Sequence, residues 1–340
     1  MADESFKTYQ EVINYLKEKK RKINLLVGNG FSMAFDPTIF SYNALSNFIK
    51  SCKDQTILKL FRIVDSTNFE LIMRELDLFI KFEKEFDPNP KLEEIILSAK
   101  NKLKTSLIDA ITKLHPDHVF KILDSNSKAC ALFLKDYLES GGAIFSTNYD
   151  LLLYWILMRE SNSLKNKYGI LDGFSLGNNE DLTWNSGKQN IYYLHGSLPL
   201  FSTGYSTIKE KYDHQHYLLQ NIKDRIAKDQ YPLFVTGGTA EEKMKVISNN
   251  RYLSFCYDNL ENIRGSLIVI GFNFGEYDTH IIDAINRAAT KKSLCSLFIG
   301  YYTEKDRQHF LRLCPRIQLP PEKIRIFDSK TANIWGNTPQ

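Results

Sequence analysis

The stretch LLVGNGFS, residues 25–32, is the part of the sequence that decides the fold class. Its apolar run predicts a buried strand, and the Gly28-x-Gly30 that follows predicts a tight turn where many α/β folds hold a phosphate. Ser32 adds a hydroxyl donor. The fingerprint of redox dinucleotide folds asks for a third glycine, where this chain has Met33, and for an acidic residue about 20 positions on. A phosphate-binding turn and a plain strand-to-helix turn therefore both remain open.

Short apolar runs bounded by turn residues recur along the chain. They are Ile23–Val27, Ala143–Phe145, Tyr192–Leu194, Leu233–Val235, Leu267–Ile270, Ser296–Ile299 and Ile324–Phe327. Near-continuous apolar runs are typical of strands that are covered on both faces. Helical periodicity over Phe6–Glu18 and Asp278–Ala289 accompanies them. We therefore predict an α/β fold, Rossmann-like, with a mostly parallel sheet flanked by helices.

A segment without a convincing strand interrupts this alternation. Residues 44–139 are rich in Lys, Glu, Leu and Ile, and their apolar spacing predicts a long amphipathic helix over 92–114. Prolines on both sides bound that helix. We expect a Rossmann-like domain in two parts, residues 1–43 and 140–340, with residues 44–139 as a helical insertion.

The overall composition excludes several classes of protein. The formal net charge is +4, from 44 basic and 40 acidic residues, which is too balanced for a nucleic-acid-binding surface. The five cysteines are scattered without Cys-x-x-Cys spacing, which argues against disulfides or a zinc site. The first ten residues lack a signal-peptide core, and the longest apolar run, Leu151–Met158, is far shorter than the roughly 20 residues of a membrane span. We expect a cytoplasmic protein without a metal, a membrane or a nucleic-acid partner.

Polar residues follow the run Ala143–Phe145. They are Ser146, Thr147, Asn148 and Asp150. Open α/β sheets bind ligands at the carboxyl ends of their strands. There the amide of Asn148 can donate and accept hydrogen bonds, and Asp150 supplies a carboxylate. Any one of Thr147, Asn148 and Asp150 would suffice to cap the helix that follows, so the presence of all three favours a site.

Two further strand ends carry candidate residues. His195 directly follows an apolar run and precedes Gly196. A histidine with an ordinary pKa of about 6.5 can act as a general base near neutral pH, although a lone histidine is more often structural. Another run ends in Gly271 and Asn273, and Asp278 opens the next helix. Asp278 is there either an N-cap or a ligand contact.

In order, these four strand ends resemble the sirtuin family. Gly28-Asn-Gly-Phe-Ser32 resembles the family's Gly-Ala-Gly-x-Ser phosphate loop, and Ser146-Thr-Asn-Tyr-Asp150 resembles its Thr-Gln-Asn-Ile-Asp motif. His195-Gly196 is similar to the catalytic His-Gly pair, and Val269-Ile-Gly-Phe-Asn273 is similar to the Gly-Thr/Ser-Ser loop.

The departures from the family point to one of its branches. Protein-deacylating sirtuins carry a zinc module of two Cys-x-x-Cys pairs after His-Gly, whereas residues 198–232 contain no cysteine. The family's Pro-Asp-Phe-Arg run is replaced by residues 35–38, in which Asp36 stands for the aspartate and no arginine follows. The helical insertion is also foreign to deacylases. The chain thus resembles the zinc-less sirtuin-like proteins of bacterial antiphage defence, which hydrolyse NAD.

The resemblance implies a role for each motif residue. Asn148 would orient a water and the nicotinamide ribose, Asp150 would hold the nicotinamide amide, and His195 would be the base at the ribose. The remaining cofactor-binding positions are Gly28, Gly30, Phe31, Ser32, Asp36, Ser146, Thr147, Gly196, Gly271, Asn273 and Asp278. NAD is expected as the substrate, and no metal is expected.

The function expected from the resemblance is hydrolysis of NAD to nicotinamide and ADP-ribose by the effector of an antiphage, abortive-infection system. Because an ungated NADase would kill its host, we also expect a homo-oligomer and a partner such as a HerA-like ATPase or another defence sensor. Two alternatives stay open. One is a zinc-free NAD-dependent deacylase or ADP-ribosyltransferase, and the other is a non-enzymatic sensor of NAD or an ADP-ribose derivative.

Overall fold

A six-stranded parallel sheet forms the centre of the molecule. The computed structural model describes residues 6–37, 55–64, 69–177, 182–204, 206–211, 218–227, 230, 232–235 and 239–336. Its strands are β1 (Ile23–Val27), β2 (Ile144–Ser146), β3 (Phe174–Leu176), β4 (Leu182–Trp184), β5 (Ile191–Tyr193), β6 (Gly196–Ser202), β7 (Thr207–Lys209), β8 (Pro232–Phe234), β9 (Gly265–Ile270), β10 (Leu294–Tyr301) and β11 (Ile324–Asp328). The large sheet contains β1, β2, β5, β9, β10 and β11, and every neighbouring pair in it is parallel.

Helices flank this sheet. They are α1 (Tyr9–Glu18), α2 (Asn29–Met33), α3 (Gln55–Val64), α4 (Phe69–Phe86), α5 (Pro90–Leu114), α6 (Asp124–Glu139), α7 (Leu152–Arg159), α8 (Ser161–Tyr168), α9 (Leu218–Ala227), α10 (Ala240–Ser248), α11 (Arg251–Glu261), α12 (Thr279–Thr290) and α13 (Glu304–Leu313). The predicted apolar face of α12 is buried, with Ile281, Ile282 and Ile285 in the core. The predicted α/β fold with a parallel sheet flanked by helices is confirmed.

The order of the strands locates the ligand-binding edge. The sheet runs β5-β2-β1-β9-β10-β11. Counted within the sheet, this is the order 3-2-1-4-5-6 of dinucleotide-binding folds, and ligands bind such sheets in the crevice where the order reverses. Here the order reverses between β1 and β9. The loops that carry the candidate residues all follow carboxyl ends of strands at this same edge.

A second sheet was not expected from the sequence. It has five strands in the order β3-β4-β7-β6-β8, and its pairs are antiparallel. The prediction that Leu233–Val235 is a strand of the parallel sheet is wrong, because β8 pairs with β6 in this second sheet. The reason is that a short apolar run carries no information about the strand with which it pairs.

The helical segment has a small core of its own. Residues from α3, α4 and α5 bury one another in a cluster of Ile57, Leu60, Phe61, Ile72, Leu76, Ala99 and Leu103. In contrast, α6 packs into the large core that surrounds the parallel sheet. Among the described residues, no helix has the length and apolar character needed to cross a membrane.

Candidate active site

Three glycines hold two loops together where the strand order reverses. The Gly28 N–H donates to the Ile270 carbonyl at 3.1 Å, and the Gly30 N–H donates to the Gly271 carbonyl at 2.9 Å. A Cβ atom on Gly30 would lie 2.5 Å from the Gly271 Cα, and Gly271 has a φ of +68°, which favours glycine. The glycines are therefore needed for direct contact between the loops. Because both N–H groups already have carbonyl acceptors, a phosphate bound by them would have to replace those bonds.

Ser32, Asn148 and Asp150 form one hydrogen-bonded cluster beside these loops. The Ser32 hydroxyl donates to a carboxylate oxygen of Asp150 and accepts from Nδ2 of Asn148 at 3.0 Å. Ser32 is fully buried, and Asn148 and Asp150 are 8% and 7% exposed. Since β1 and β2 are neighbours in the sheet, the loops after them bring together three residues that the sequence had assigned to the site.

Asp150 divides its two carboxylate oxygens between the cluster and a helix. Oδ2 accepts from Ser32, and Oδ1 accepts from the Leu152 N–H at 2.9 Å, at the start of α7. Burial raises the pKa of Asp150, while the hydrogen bonds from Ser32 and from the backbone act in the opposite direction because they stabilise the carboxylate. A carboxylate held by fixed donors and shielded from water is suited to face a developing positive charge.

Ser146 and Thr147 position the loop that carries Asn148. The Ser146 hydroxyl accepts from the Asn148 N–H at 3.1 Å. Thr147 donates to the Val27 carbonyl through its N–H at 3.0 Å and through its hydroxyl at 3.3 Å. These contacts link the end of β2 to the end of β1 and fix the direction in which the Asn148 side chain leaves the backbone.

His195 lies at the next strand end along the sheet, and Gly196 explains how the chain continues. Gly196 has a φ of +75°, and a Cβ atom there would lie 1.9 Å from the Leu233 carbonyl oxygen. Only glycine therefore allows the chain to leave the parallel sheet and enter β6 at this point. The Ser197 hydroxyl donates to the Asp150 carbonyl at 3.2 Å, which ties the His195 loop to the cluster.

A second histidine, which the sequence analysis missed, contacts His195. The Nε2 atoms of His195 and His280 are 2.9 Å apart, and both side chains are buried. Burial, with added repulsion from His280 and Lys243, lowers the pKa of His195 well below its ordinary value. Burial also lowers the pKa of His280, to about 4. Both rings are therefore neutral near pH 7, the state in which a histidine can accept a proton.

A buried ion pair adjoins the two histidines. The Lys243 ammonium is fully buried and lies 2.7 Å from Oδ1 of Asp278. Although Asp278 stands at the N-cap of α12, its side chain makes no capping hydrogen bond. Its carboxylate and the ring nitrogens of His195 and His280 lie within 4.8 Å of one another, and such donors can hold a divalent ion. Because the ammonium already neutralises the carboxylate, we interpret the group as a hydrogen-bonded histidine pair beside an ion pair.

Three other residues assigned by the sequence occupy different surroundings. The Phe31 ring is fully buried and packs on Trp335, with ring centroids 5.0 Å apart. Asn273 is exposed, and its carbonyl accepts from His309 at 2.8 Å. Asp36 is half-buried, beyond the end of α2. Phe31 therefore supports the loop of residues 28–32 from inside the core, and its ring does not belong to the polar cluster.

His115 connects the helical segment to the site. Its Nε2 accepts from the Leu151 N–H at 2.8 Å, and its ring packs edge-on against Trp155 with centroids 4.6 Å apart. Burial lowers the pKa of His115 to about 3, so the ring stays neutral and remains an acceptor. Through this bond the residue just after α5 holds the start of α7, and with it Asp150. The sequence analysis predicts only a helix end at His115-Pro116.

The fold and this edge define the class of the protein, a Rossmann-like α/β protein with a buried polar cluster at the reversal point of its sheet. Residues 25–335 match the family model described as "Domain of unknown function (DUF4917)", and the chain belongs to that family. The match begins within β1 and includes every residue of the cluster. A comparison with curated proteins gave no match.

Proposed function

We propose that the protein is an NAD+ hydrolase that cleaves the N-glycosidic bond between nicotinamide and ribose. The observation that carries the proposal is the cluster of Ser32, Asn148 and Asp150. These side chains are hydrogen-bonded to one another at the edge of a sheet with dinucleotide-binding strand order, and His195 lies at the adjacent strand end. They are also the positions that match the sirtuin motifs.

The chemistry asks little of a protein beyond placement and charge. The nicotinamide of NAD+ is a positively charged leaving group that departs as a neutral molecule. Positive charge develops at the ribose carbon, and water supplies the new bond. The balance is NAD+ plus water to ADP-ribose, nicotinamide and one proton. The protein must therefore stabilise a cation, place a water and accept a proton.

Two residues of the cluster, together with His195, fit these three tasks. Asp150, a carboxylate with two fixed donors and little contact with water, stabilises the cation at the ribose carbon. Asn148 has an amide oxygen that can accept from a water while its Nδ2 is held by Ser32. His195 is neutral near pH 7 and can accept the proton.

We further propose that the enzyme acts as a gated effector in antiphage defence, like the zinc-less sirtuin-like proteins that its motifs resemble. All three reacting side chains are buried, so access by a dinucleotide needs the loops at this edge to open. The helical segment offers a surface for the assembly that would control such opening. Its helix α4 exposes the apolar side chains Leu78, Phe79, Phe82 and Phe86. The partner we propose is a second copy of this chain, together with a HerA-like ATPase or another defence sensor.

The proposal is tested by product analysis of purified protein with NAD+, alone and with candidate partner proteins. We expect ADP-ribose and nicotinamide in equal amounts, and we expect Asn148→Ala and His195→Ala to abolish turnover. Asn24→Ala is the matched control, because Asn24 is also a buried asparagine but bonds the Arg264 and Ser266 carbonyls near the start of β1, at the opposite edge of the sheet. Thermal unfolding shows that each variant is folded.

Other products would identify another function. Label transferred from radiolabelled NAD+ to protein would indicate an ADP-ribosyltransferase, and loss of acyl groups from lysines would indicate a deacylase. Tight binding of NAD+ or ADP-ribose without turnover under every condition would indicate a sensor. Full turnover in folded Asn148→Ala or His195→Ala would refute the assignment of those residues.

A further inference from the structure

His280 is placed to control the protonation of His195. Its Nε2 lies 2.9 Å from Nε2 of His195, and the two rings stack with centroids 5.1 Å apart. His280 is held from both sides, since it lies in the first turn of α12 and its carbonyl accepts from the Tyr257 hydroxyl at 2.7 Å. These contacts fix the backbone, and because His280 is only 1% exposed its ring has little room to turn away from His195.

The short distance between the two nitrogens fixes how many protons lie between them. Two N–H groups cannot face each other at hydrogen-bond distance, so one nitrogen donates and the other accepts. If His195 donates through Nε2, its Nδ1 is bare and can take a proton from a water or a ribose hydroxyl. If His280 donates instead, His195 carries its proton on Nδ1 and cannot act as a base there. The tautomer of His280 therefore decides whether His195 is competent.

The far nitrogen of His280 adds a second observation. Nδ1 of His280 is buried and has no hydrogen-bond partner among the described residues. In the competent arrangement this nitrogen carries a proton and needs an acceptor, because a buried N–H without one is costly. The Asp278 carboxylate is the acidic group within 4.8 Å of the pair, and Lys243 holds its Oδ1. The charged and titratable groups around His280 are thus Lys243, Asp278, Tyr257 and His195.

We propose that His280 is a positioning residue of the proposed NAD+ hydrolase, setting the tautomer of His195 and receiving its proton. In the reaction, the proton from the water or ribose hydroxyl goes to Nδ1 of His195. The Nε2 proton of His195 moves to Nε2 of His280. The resulting imidazolium of His280 lies near the Asp278 carboxylate, and its proton passes to solvent after the products leave. This inference rests on the proposed function.

Two substitutions separate the hydrogen bond from the proton transfer. His280→Gln places an amide near the position of Nε2, which can hold His195 but cannot become a cation at neutral pH. His280→Phe keeps the ring volume and removes both functions. His118→Asn is the control, since His118 lies half-buried near α6 and caps a short helical turn. Because the proposal gives His280 a contact with His195 and no role in binding NAD+, we expect KM to stay within about threefold.

The kinetic readout is the pH profile of kcat. We expect His280→Phe to lower kcat by about 100-fold, the lower end of what general acid–base catalysis supplies, and His280→Gln to fall between it and the wild type. The acid limb of the profile should move in both variants and stay in place in His118→Asn. An unchanged kcat and pH profile in folded His280→Phe overturns the proposal.

An NMR measurement distinguishes failure of this inference from failure of the proposed function. With ¹⁵N-labelled histidine, the ring signals of His195 are identified by their loss in His195→Gln. In the wild type the tautomer of His195 should be fixed, and His280→Phe should change it. If the wild type does not cleave NAD+, the proposed function fails. The NMR measurement then still tests whether His280 sets the tautomer of His195. Identical His195 signals in the wild type and His280→Phe overturn it.

Discussion

Replacement of Ser32 by alanine tests whether the polar cluster works as a unit. Ser32 is fully buried, donates to Asp150 and accepts from Asn148. Ser32→Ala removes both hydrogen bonds and makes the side chain smaller by only one oxygen atom. The substitution leaves a carboxylate oxygen and an amide N–H without their partner in a nearly dry site. Both consequences can be measured, one as stability and one as a shift in pH dependence.

The expected loss of stability follows from the two bonds. A hydrogen bond to a charged group contributes about 1.5–3 kcal/mol, and an unsatisfied buried donor costs about 1–3 kcal/mol, so we expect a loss of about 2.5–6 kcal/mol. The Ser32 hydroxyl also opposes the effect of burial on the Asp150 pKa. Its removal therefore raises that pKa further. Since a raised carboxyl pKa means that the folded state binds its proton more tightly, the loss of stability should be larger at pH 7 than at pH 5.

Ser127→Ala is the matched control for Ser32→Ala. Ser127 is also fully buried and donates to a carboxylate, that of Glu160, at 2.6 Å, but it lies in α6 away from the site. Urea unfolding should give losses of the same order for the two variants. Only Ser32→Ala should lower kcat, by about 100-fold for a misplaced reacting group, and move the acid limb of the pH profile to higher pH. Equal kcat values and equal pH profiles in the two folded variants would refute the cluster as a functional unit.

Three further predictions concern the loops, the histidine at the helical segment and the assembly surface. Gly271→Ala should lose about 1–3 kcal/mol more than Gly169→Ala in urea unfolding, because both have positive φ but only the former would meet backbone atoms at 2.6 Å. Equal losses would contradict the loop contact. His115→Gln should weaken the acid sensitivity of folding. The wild-type His115 pKa of about 3 lies below that of the unfolded chain, so stability falls by up to about 1.4 kcal/mol per pH unit below pH 6.5. Unfolding midpoints at pH 7 and pH 5 check this, and identical slopes would refute it. Phe82→Lys should shift any oligomer toward monomer in sedimentation, whereas Leu132→Lys, also exposed but on α6, should not.

The parallel sheet could be predicted because its strands are buried on both faces. Runs such as Ile23–Val27 and Leu267–Ile270 are nearly continuous in apolar residues, and turn residues bound them. Their carboxyl ends must share one edge when the strands are parallel, so the sequence alone predicts that Ser32, Asn148 and Asp150 lie at the same edge. Local pattern and long-range topology agree in this half of the molecule.

The second sheet could not be predicted from the same signals. The strands β3 and β4 have three residues each and are only partly buried, so they show neither a continuous apolar run nor a clear alternation. β3 pairs with the next strand, β4, and β4 pairs with β7, so their existence depends on strand pairing, which is a tertiary property. The turn at Gly196 depends on the close approach of the Leu233 carbonyl, which no local sequence pattern predicts.

The missed residues of the site share one cause. His280 falls within the apolar face of α12, and Lys243 lies among other charged residues in the first half of α10. Both acquire their role only when α10 and α12 pack beside the end of β5. His115 bonds a backbone N–H 36 residues away. Side chains that act across elements in this way give no periodic signal in the sequence.

The most direct test of the proposed function is the fate of NAD+ incubated with the purified, assembled protein. We predict equimolar nicotinamide and ADP-ribose from the wild type, with no label on protein. No product should form with Asn148→Ala or His195→Ala, while Asn24→Ala retains turnover. Intact NAD+ after incubation with the wild type in every oligomeric state and with each candidate partner would contradict the proposal.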